Sequence, residues 1–256
     1  MRAGADMARI PLSVTIIAKD EADRIERCIA AIKHIADDIV VVDSGSSDDT
    51  VAICQRLGAR TVFNAWVGYG PQKRFAEDAA KFDWVLNLDA DEVVSAELAA
   101  ELRALLGNDP PLRAYRFKQV TVYPGWQKPR LWADYHNYVR LYDRRAVRFH
   151  QSLSHDTVDL KGTPAGQLQG EALHFSWRTL DHVRRKLDGY TDLQAKEIKK
   201  PRWQLQLRRP IEYPFLFFRY YVLRRHFTGG WYGLKAAHTF AVGRAQRITK
   251  FLARQR

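Results

Sequence analysis

The first half of the chain alternates short, almost unbroken apolar runs with stretches of helical periodicity. Residues 12–18 (Leu12, Val14, Ile16, Ile17, Ala18), 39–42 (Ile39, Val40, Val41, Val42) and 84–88 (Trp84, Val85, Leu86, Leu88) are runs of the first kind. They predict strands buried on both faces of a sheet. Between the first two, Ile25, Cys28, Ile29 and Ile32 fall at helical spacing within residues 23–35. Residues 50–57, stopped by Gly58, predict a second helix, and 60–64 a short strand. Strand, helix, strand, helix in this order implies parallel strands joined by right-handed crossovers in a doubly wound sheet. Residues 68–74 read as a loop and 75–80 as a helix leading into the run at Trp84. Beyond that run come a helix over 95–106 with Ser95 as N-cap and Gly107 at its end, then alternating strands at 114–123 and 138–142. The segment 124–137 between those strands, rich in Trp, Tyr, Arg and His, has the composition of a binding loop. Residues 149–159 and a short segment at 172–177 close this part.

The run at Trp84 ends in acid, as Asp89-Ala90-Asp91-Glu92. The C-terminal end of a buried strand is the mouth of an open α/β sheet, where ligands collect. Residues two apart on a strand face the same way, so Asp89 and Asp91 would present both carboxylates to one hard divalent cation. The same residues also read as a solvated acidic turn with Glu92 in the first turn of the next helix. Upstream, Gly68-Tyr69-Gly70-Pro71 lacks the third glycine of a dinucleotide fingerprint. Its loop either brings Lys73 and Arg74 to a phosphate or is a solvated helix start. Residues 43–50 form a polar turn crowded with hydroxyls and carboxylates.

Charge changes the picture of the C-terminal third. The net +12 is carried wholly by residues 178–256, which hold 19 Lys and Arg against 5 Asp and Glu. Such asymmetry points to a polyanionic surface. Residues 210–227 are aromatic and basic, too short and too charged to span a bilayer. In 231–252, Leu234, Ala237, Ala241, Ala245, Ile248 and Leu252 share one helical face and Lys235, Arg247 and Lys250 the other. This pattern suits a helix lying on an anionic membrane, or one packed on its own protein with a solvated basic face. No nucleic-acid-binding module pattern occurs, and nucleic acid is not an expected partner. The two cysteines, Cys28 and Cys54, lack metal-ligand spacing. With no signal-like segment at the start, the expected location is cytoplasmic and peripheral on the inner face of the plasma membrane.

Taken in order, Asp43-Ser44-Gly45-Ser46-Ser47-Asp48, Gln72-Lys73-Arg74, the run from Trp84 to Glu92, Arg140-Leu141-Tyr142 and His155-Asp156 closely resemble the family 2 glycosyltransferases, notably the bacterial lipopolysaccharide-core glucosyltransferase branch. The resemblance implies an α/β GT-A fold: a Rossmann-like, mixed, mainly parallel sheet with helices on both faces over residues 1–177, followed by a basic helical extension over 178–256. It implies a metal-assisted inverting transfer of a hexose, glucose from UDP-glucose, to a lipopolysaccharide-core or other lipid-linked acceptor at an anionic inner-membrane surface. Ala18, Asp20, Glu21, Asp43, Lys73 and Asp89 would line the nucleotide-sugar site. Asp91 would ligate Mg²⁺ or Mn²⁺, and His174 would be a further ligand, a pyrophosphate contact or a packed histidine. Asp156 would be the general base. This chain departs from the branch with Asp20 where Asn is usual and Asp156 where Glu is usual, which shortens the base's reach by a methylene. Competing readings are a protein or polyprenyl-phosphate acceptor, a sugar nucleotidyltransferase, and a non-catalytic membrane or nucleotide-binding protein.

Overall fold

The computed structural model describes residues 10–152, 157–197 and 201–254. The chain divides into two compact units, Met1–Val120 with Tyr135–His174, and Thr121–Asp134 with Phe175–Arg256.

The first unit starts as the apolar pattern predicts. Strand β1 (Leu12–Ala18), helix α1 (Ile25–Ile32), β2 (Asp38–Asp43), α2 (Thr50–Arg56) and β3 (Arg60–Phe63) follow in order. Helix α3 (Tyr69–Ala79) begins earlier than the sequence suggests. Pro71 does not block it, because the first-turn N–H groups of a helix have no intrahelical acceptor to lose. Then come β4 (Trp84–Asp89), β5 (Glu92–Val94), α4 (Ala96–Leu106), β6 (Ala114–Thr121), β7 (Tyr135–Asp143), the two-residue strands β8 (Arg148–Phe149) and β9 (Val158–Asp159), and β10 (Gly166–His174). The eight-stranded sheet has the order β3-β2-β1-β4-β7-β6-β10-β5. Its β3-β2-β1-β4 half is parallel, while β7 runs antiparallel to both β4 and β6, and β5 antiparallel to β10. This is the mixed sheet expected of the GT-A class. The main core joins Val14, Ile16, Leu86 and Leu88 of the sheet to Ile25 and Ile29 of α1 and Leu98 and Leu102 of α4. Ser95 caps α4 by accepting from Leu98 N–H at 3.1 Å.

The buried Asp38 ties the parallel half together. Its carboxylate accepts from Arg60 Nε at 2.8 Å, Ser13 Oγ at 2.9 Å and Lys81 N–H at 3.1 Å. Burial alone would raise its pKa, but these donors outweigh burial and hold it below the ordinary carboxylate value. Its stabilisation is therefore present at neutral pH and is lost as pH falls through the depressed value. Asp38→Asn is expected to cost about 1–3 kcal/mol at pH 7. In urea melts from pH 7 to 3 the gap to wild type should close with falling pH; a pH-independent gap would refute the linkage.

The second unit holds α5 (Leu180–Glu197), α6 (Arg202–Phe218) and α7 (Gly230–Arg254), with a π-helical turn at Arg219–Leu223 and a 3₁₀ turn at His226–Gly229. The face of α7 bearing Ala237, Ala241, Ile248 and Leu252 is buried. It packs on Leu205, Leu216 and Tyr220 of the α6 segment, and Gly243 lets Leu187 of α5 approach closely. Of the two roles open to that face from sequence, the structure has the internal one. Residues 121–134 belong with these helices because Arg130 donates to the carbonyls of Arg224 (2.8 Å) and Arg225 (2.9 Å) and to Asp134 (3.0 Å). The Tyr123 hydroxyl meets His226 Nδ1 at 2.6 Å in the interior. Most of the segment read from sequence as a binding loop, up to Asp134, is thus anchored within the helical unit.

Candidate active site

β1 ends one residue beyond the last β4 pairing, Ile17 with Asp89. The chain turns at Ala90 and Asp91 and continues as β5, whose Glu92 lies opposite His174 in the register with β10. The two carboxylates expected on one strand face are consequently split between a strand end and a turn, and different cations serve them.

Asp89 accepts from Lys73 Nζ at 2.8 Å and Arg140 Nη2 at 3.1 Å. Burial works against its charge, yet Lys73 and then Arg140 prevail and hold it far below the usual carboxylate range. Lys73 is neither on a loop nor solvated: it is fully buried in the first turns of α3, above the Phe149 ring at 5.3 Å. Arg140 also donates to Asn87 Oδ1 at 2.7 Å and lies 3.7 Å from Glu92 Oε1. Glu92 is buried, opens a strand rather than a helix, and accepts from Asp89 N–H at 3.1 Å. Burial raises its pKa; Arg140 opposes this and the Asp89 charge adds to it.

Asp91 lies 3.2 Å from Arg24 Nη1 and 3.5 Å from His174 Nε2. Its pKa is lowered because the His174 hydrogen bond overcomes burial, and the His174 pKa is raised against burial by the same contact. Arg24 also pairs with Glu21. His174 Nδ1 is buried without a hydrogen-bond partner among the described residues. No group of three acidic, His or Cys ligands able to hold a metal occurs among those residues. The carboxylate of Asp91 and the imidazole of His174 beside it are chemically suited to Mg²⁺ or Mn²⁺, which take one or two protein ligands and complete their shell with phosphate oxygens. Asp91, with His174 and its unsatisfied nitrogen alongside, is the donor set present.

Two loops flank the acids. Asp43, at the end of β2, accepts from Gly45 N–H at 2.8 Å and Ser46 N–H at 3.0 Å. Asp20 sits at φ +53° and accepts from Ser47 N–H at 2.7 Å, while its own N–H donates to Ser46 Oγ at 2.9 Å. Asn and Asp are the side chains that best tolerate this left-handed backbone, so the departure from Asn conserves the local geometry. The Ala18 carbonyl accepts from Ser44 N–H at 3.0 Å. The loop is thereby locked to the end of β1.

Asp156, with Ser154 and His155, lies outside the described residues. On either side of that stretch, Gly70 N–H donates to Ser152 O at 3.1 Å and His150 N–H to Thr157 O at 3.0 Å. A Cβ at Gly70 would come within 2.2 Å of His150 O, so only glycine fits there. Sequence reasoning did not place Arg24, Arg140 or Glu92 in the site. The available signal was Arg140 itself, a charge between the strand residues Val139 and Leu141, since a buried arginine needs carboxylates.

The family model described as Glycosyl transferase family 2 matches residues 13–159. An uncharacterized glycosyltransferase of Rickettsia conorii is 37% identical over 250 residues, covering 93% of this chain and 89% of the relative. The lipopolysaccharide core biosynthesis glycosyltransferase LpsC of Rhizobium meliloti is 30% identical over 82% of each chain. Among solved structures, glucosyl-3-phosphoglycerate synthase from Mycobacterium tuberculosis, in complex with Mn²⁺, UDP and glucosyl-3-phosphoglycerate, is similar at 24% identity and a TM-score of 0.37, covering 49% of this chain and 50% of that one.

Proposed function

From the premise that the chain belongs to glycosyl transferase family 2, we propose that it transfers a hexose, glucose from UDP-glucose, with inversion to a lipopolysaccharide-core or related lipid-linked acceptor at the cytoplasmic face of the inner membrane. The observation that carries this reading is the turn at the end of β4, where Asp89 is paired with Lys73 and Arg140 while Asp91 lies beside Arg24 and has a potential metal ligand, His174, at 3.5 Å. Asp91 and His174 would hold Mg²⁺ or Mn²⁺, which when bound supplies positive charge to the leaving diphosphate. Asp20, Asp43 and the loop they order shape the nucleotide side of the pocket. Asp156 is the base in this reading, taking the proton from the acceptor hydroxyl. The name of the LpsC relative supports a lipopolysaccharide-core acceptor.

Isothermal titration with UDP, GDP and ADP is expected to give binding for UDP alone and only with Mn²⁺ or Mg²⁺ present. Absence of binding for every nucleotide under both conditions would overturn the donor assignment. Product analysis with lipopolysaccharide-core, protein and polyprenyl-phosphate acceptors then decides the acceptor class.

A further inference from the structure

Helix α6 has one face buried and, among the described residues, one exposed. Leu205 and Leu216, with Tyr220 just beyond, are buried against α7. On the opposite side Trp203, Leu207, Ile211, Phe215, Phe218 and Val222 recur every three or four residues, and each is between 41% and 69% exposed. That spacing makes one continuous apolar stripe along the helix and the turn after it. Pro210 and Pro214 are exposed on the same side, where they lower helix propensity and add apolar ring carbon. An exposed apolar band of this length marks an interaction surface rather than ordinary surface leucines.

The charge beside the stripe selects its occupant. Between Arg202 and Arg225 there are six arginines and one carboxylate, Glu212. Glu212 is buried and paired with Arg208 and Arg247, leaving no acidic side chain on the outer surface of this segment. A protein partner or a second copy would favour a stripe accompanied by mixed charges; an apolar stripe on a segment whose exposed charges are all arginine matches acyl chains beneath anionic headgroups. No helix among the described residues is long and apolar enough to cross a membrane. We propose that the outer face of α6 docks this protein onto an anionic bilayer, the helix lying in the plane of the interface with its aromatic and aliphatic side chains inserted and its arginines at the phosphates. The α7 face that the sequence offered for this role is spent on internal packing. The inference extends the proposed lipid-linked acceptor but does not depend on the donor chemistry.

The test is sedimentation of the full-length chain with vesicles of phosphatidylcholine alone or mixed with phosphatidylglycerol. Wild type should bind the mixed vesicles and not the neutral ones, more weakly as salt rises. Leu207→Glu combined with Phe215→Glu replaces two side chains more than half exposed, so the fold should persist, as an unchanged circular-dichroism melt of the same samples would report. Its partitioning should fall at least about tenfold. Arg219→Gln, at an exposed position one turn from Phe215 and Val222, should lose about fivefold. Undiminished partitioning of the folded double variant would overturn the proposal. So would a wild-type dimer in solution that the double variant dissolves, which would make the stripe a contact between copies. Vesicle binding without UDP binding would count against the donor reading alone.

Discussion

Asp91→Asn is expected to lower kcat for sugar transfer by about 10²–10³-fold at saturating Mn²⁺ while leaving the fold intact. In the apo protein Asp91 faces two cations, Arg24 and His174, and Arg24 keeps Glu21 after the change. Stability should therefore move little. The loss should fall on catalysis, because an amide is a poor ligand for a hard dication and would withdraw one negative charge from the proposed metal site. The His174 imidazole provides a second readout. Asp91 raises its pKa, so in the variant the histidine should titrate at lower pH, visible by NMR. Activity within tenfold of wild type, with an unchanged melting temperature, would remove Asp91 from the metal-binding role.

Arg140→Met is expected to have the largest effect on stability, about 3–5 kcal/mol, because it strips the partner from charges that stay buried. Arg140 serves Asn87, Asp89 and Glu92 at once. Lys73 can still hold Asp89, but Glu92 would lose its ion-pair partner and keep a backbone N–H and the weaker influence of His174 and Lys73. Its pKa is already raised by burial and by Asp89, with Arg140 the main opposing influence, so the variant should drive it higher still. A carboxyl whose folded pKa lies above its unfolded one costs the fold stability progressively as pH rises from the unfolded value to the folded one. The deficit should accordingly grow between pH 5 and pH 8, and Arg140→Met with Glu92→Gln should recover part of it. Urea unfolding across that range checks both statements; a deficit under about 1 kcal/mol would mean that Glu92 is already neutral in the wild type.

The parallel half of the sheet was legible because its strands are apolar on both faces and its helices keep a clean period. Ser95 and Gly107 marked α4 by local chemistry alone. What stayed hidden was non-local. The burial of Lys73 could not be read because its carboxylate partner, Asp89, arrives with the next strand. Glu92 looked like a helix start because the strand it opens is imposed by β10, some eighty residues later. The tail misled in a related way: the α7 pattern was read correctly as amphipathic, yet periodicity does not say whether an apolar face meets protein or lipid. The α6 stripe was masked by the arginines and prolines that interrupt it.

The tether formed by Arg130, Tyr123 and His226 bears on modularity. The chain leaves the sheet after β6, contributes residues 121–134 to the helical unit, returns for β7, and departs again after His174. A gene cut at codon 174 would not yield a minimal enzyme with its appendage removed. It would yield a sheet protein carrying a stranded loop, its arginine and tyrosine deprived of the backbone carbonyls and imidazole that satisfy them. The C-terminal third is accordingly not a detachable cassette: exchanging it between relatives requires moving two separated pieces of sequence together.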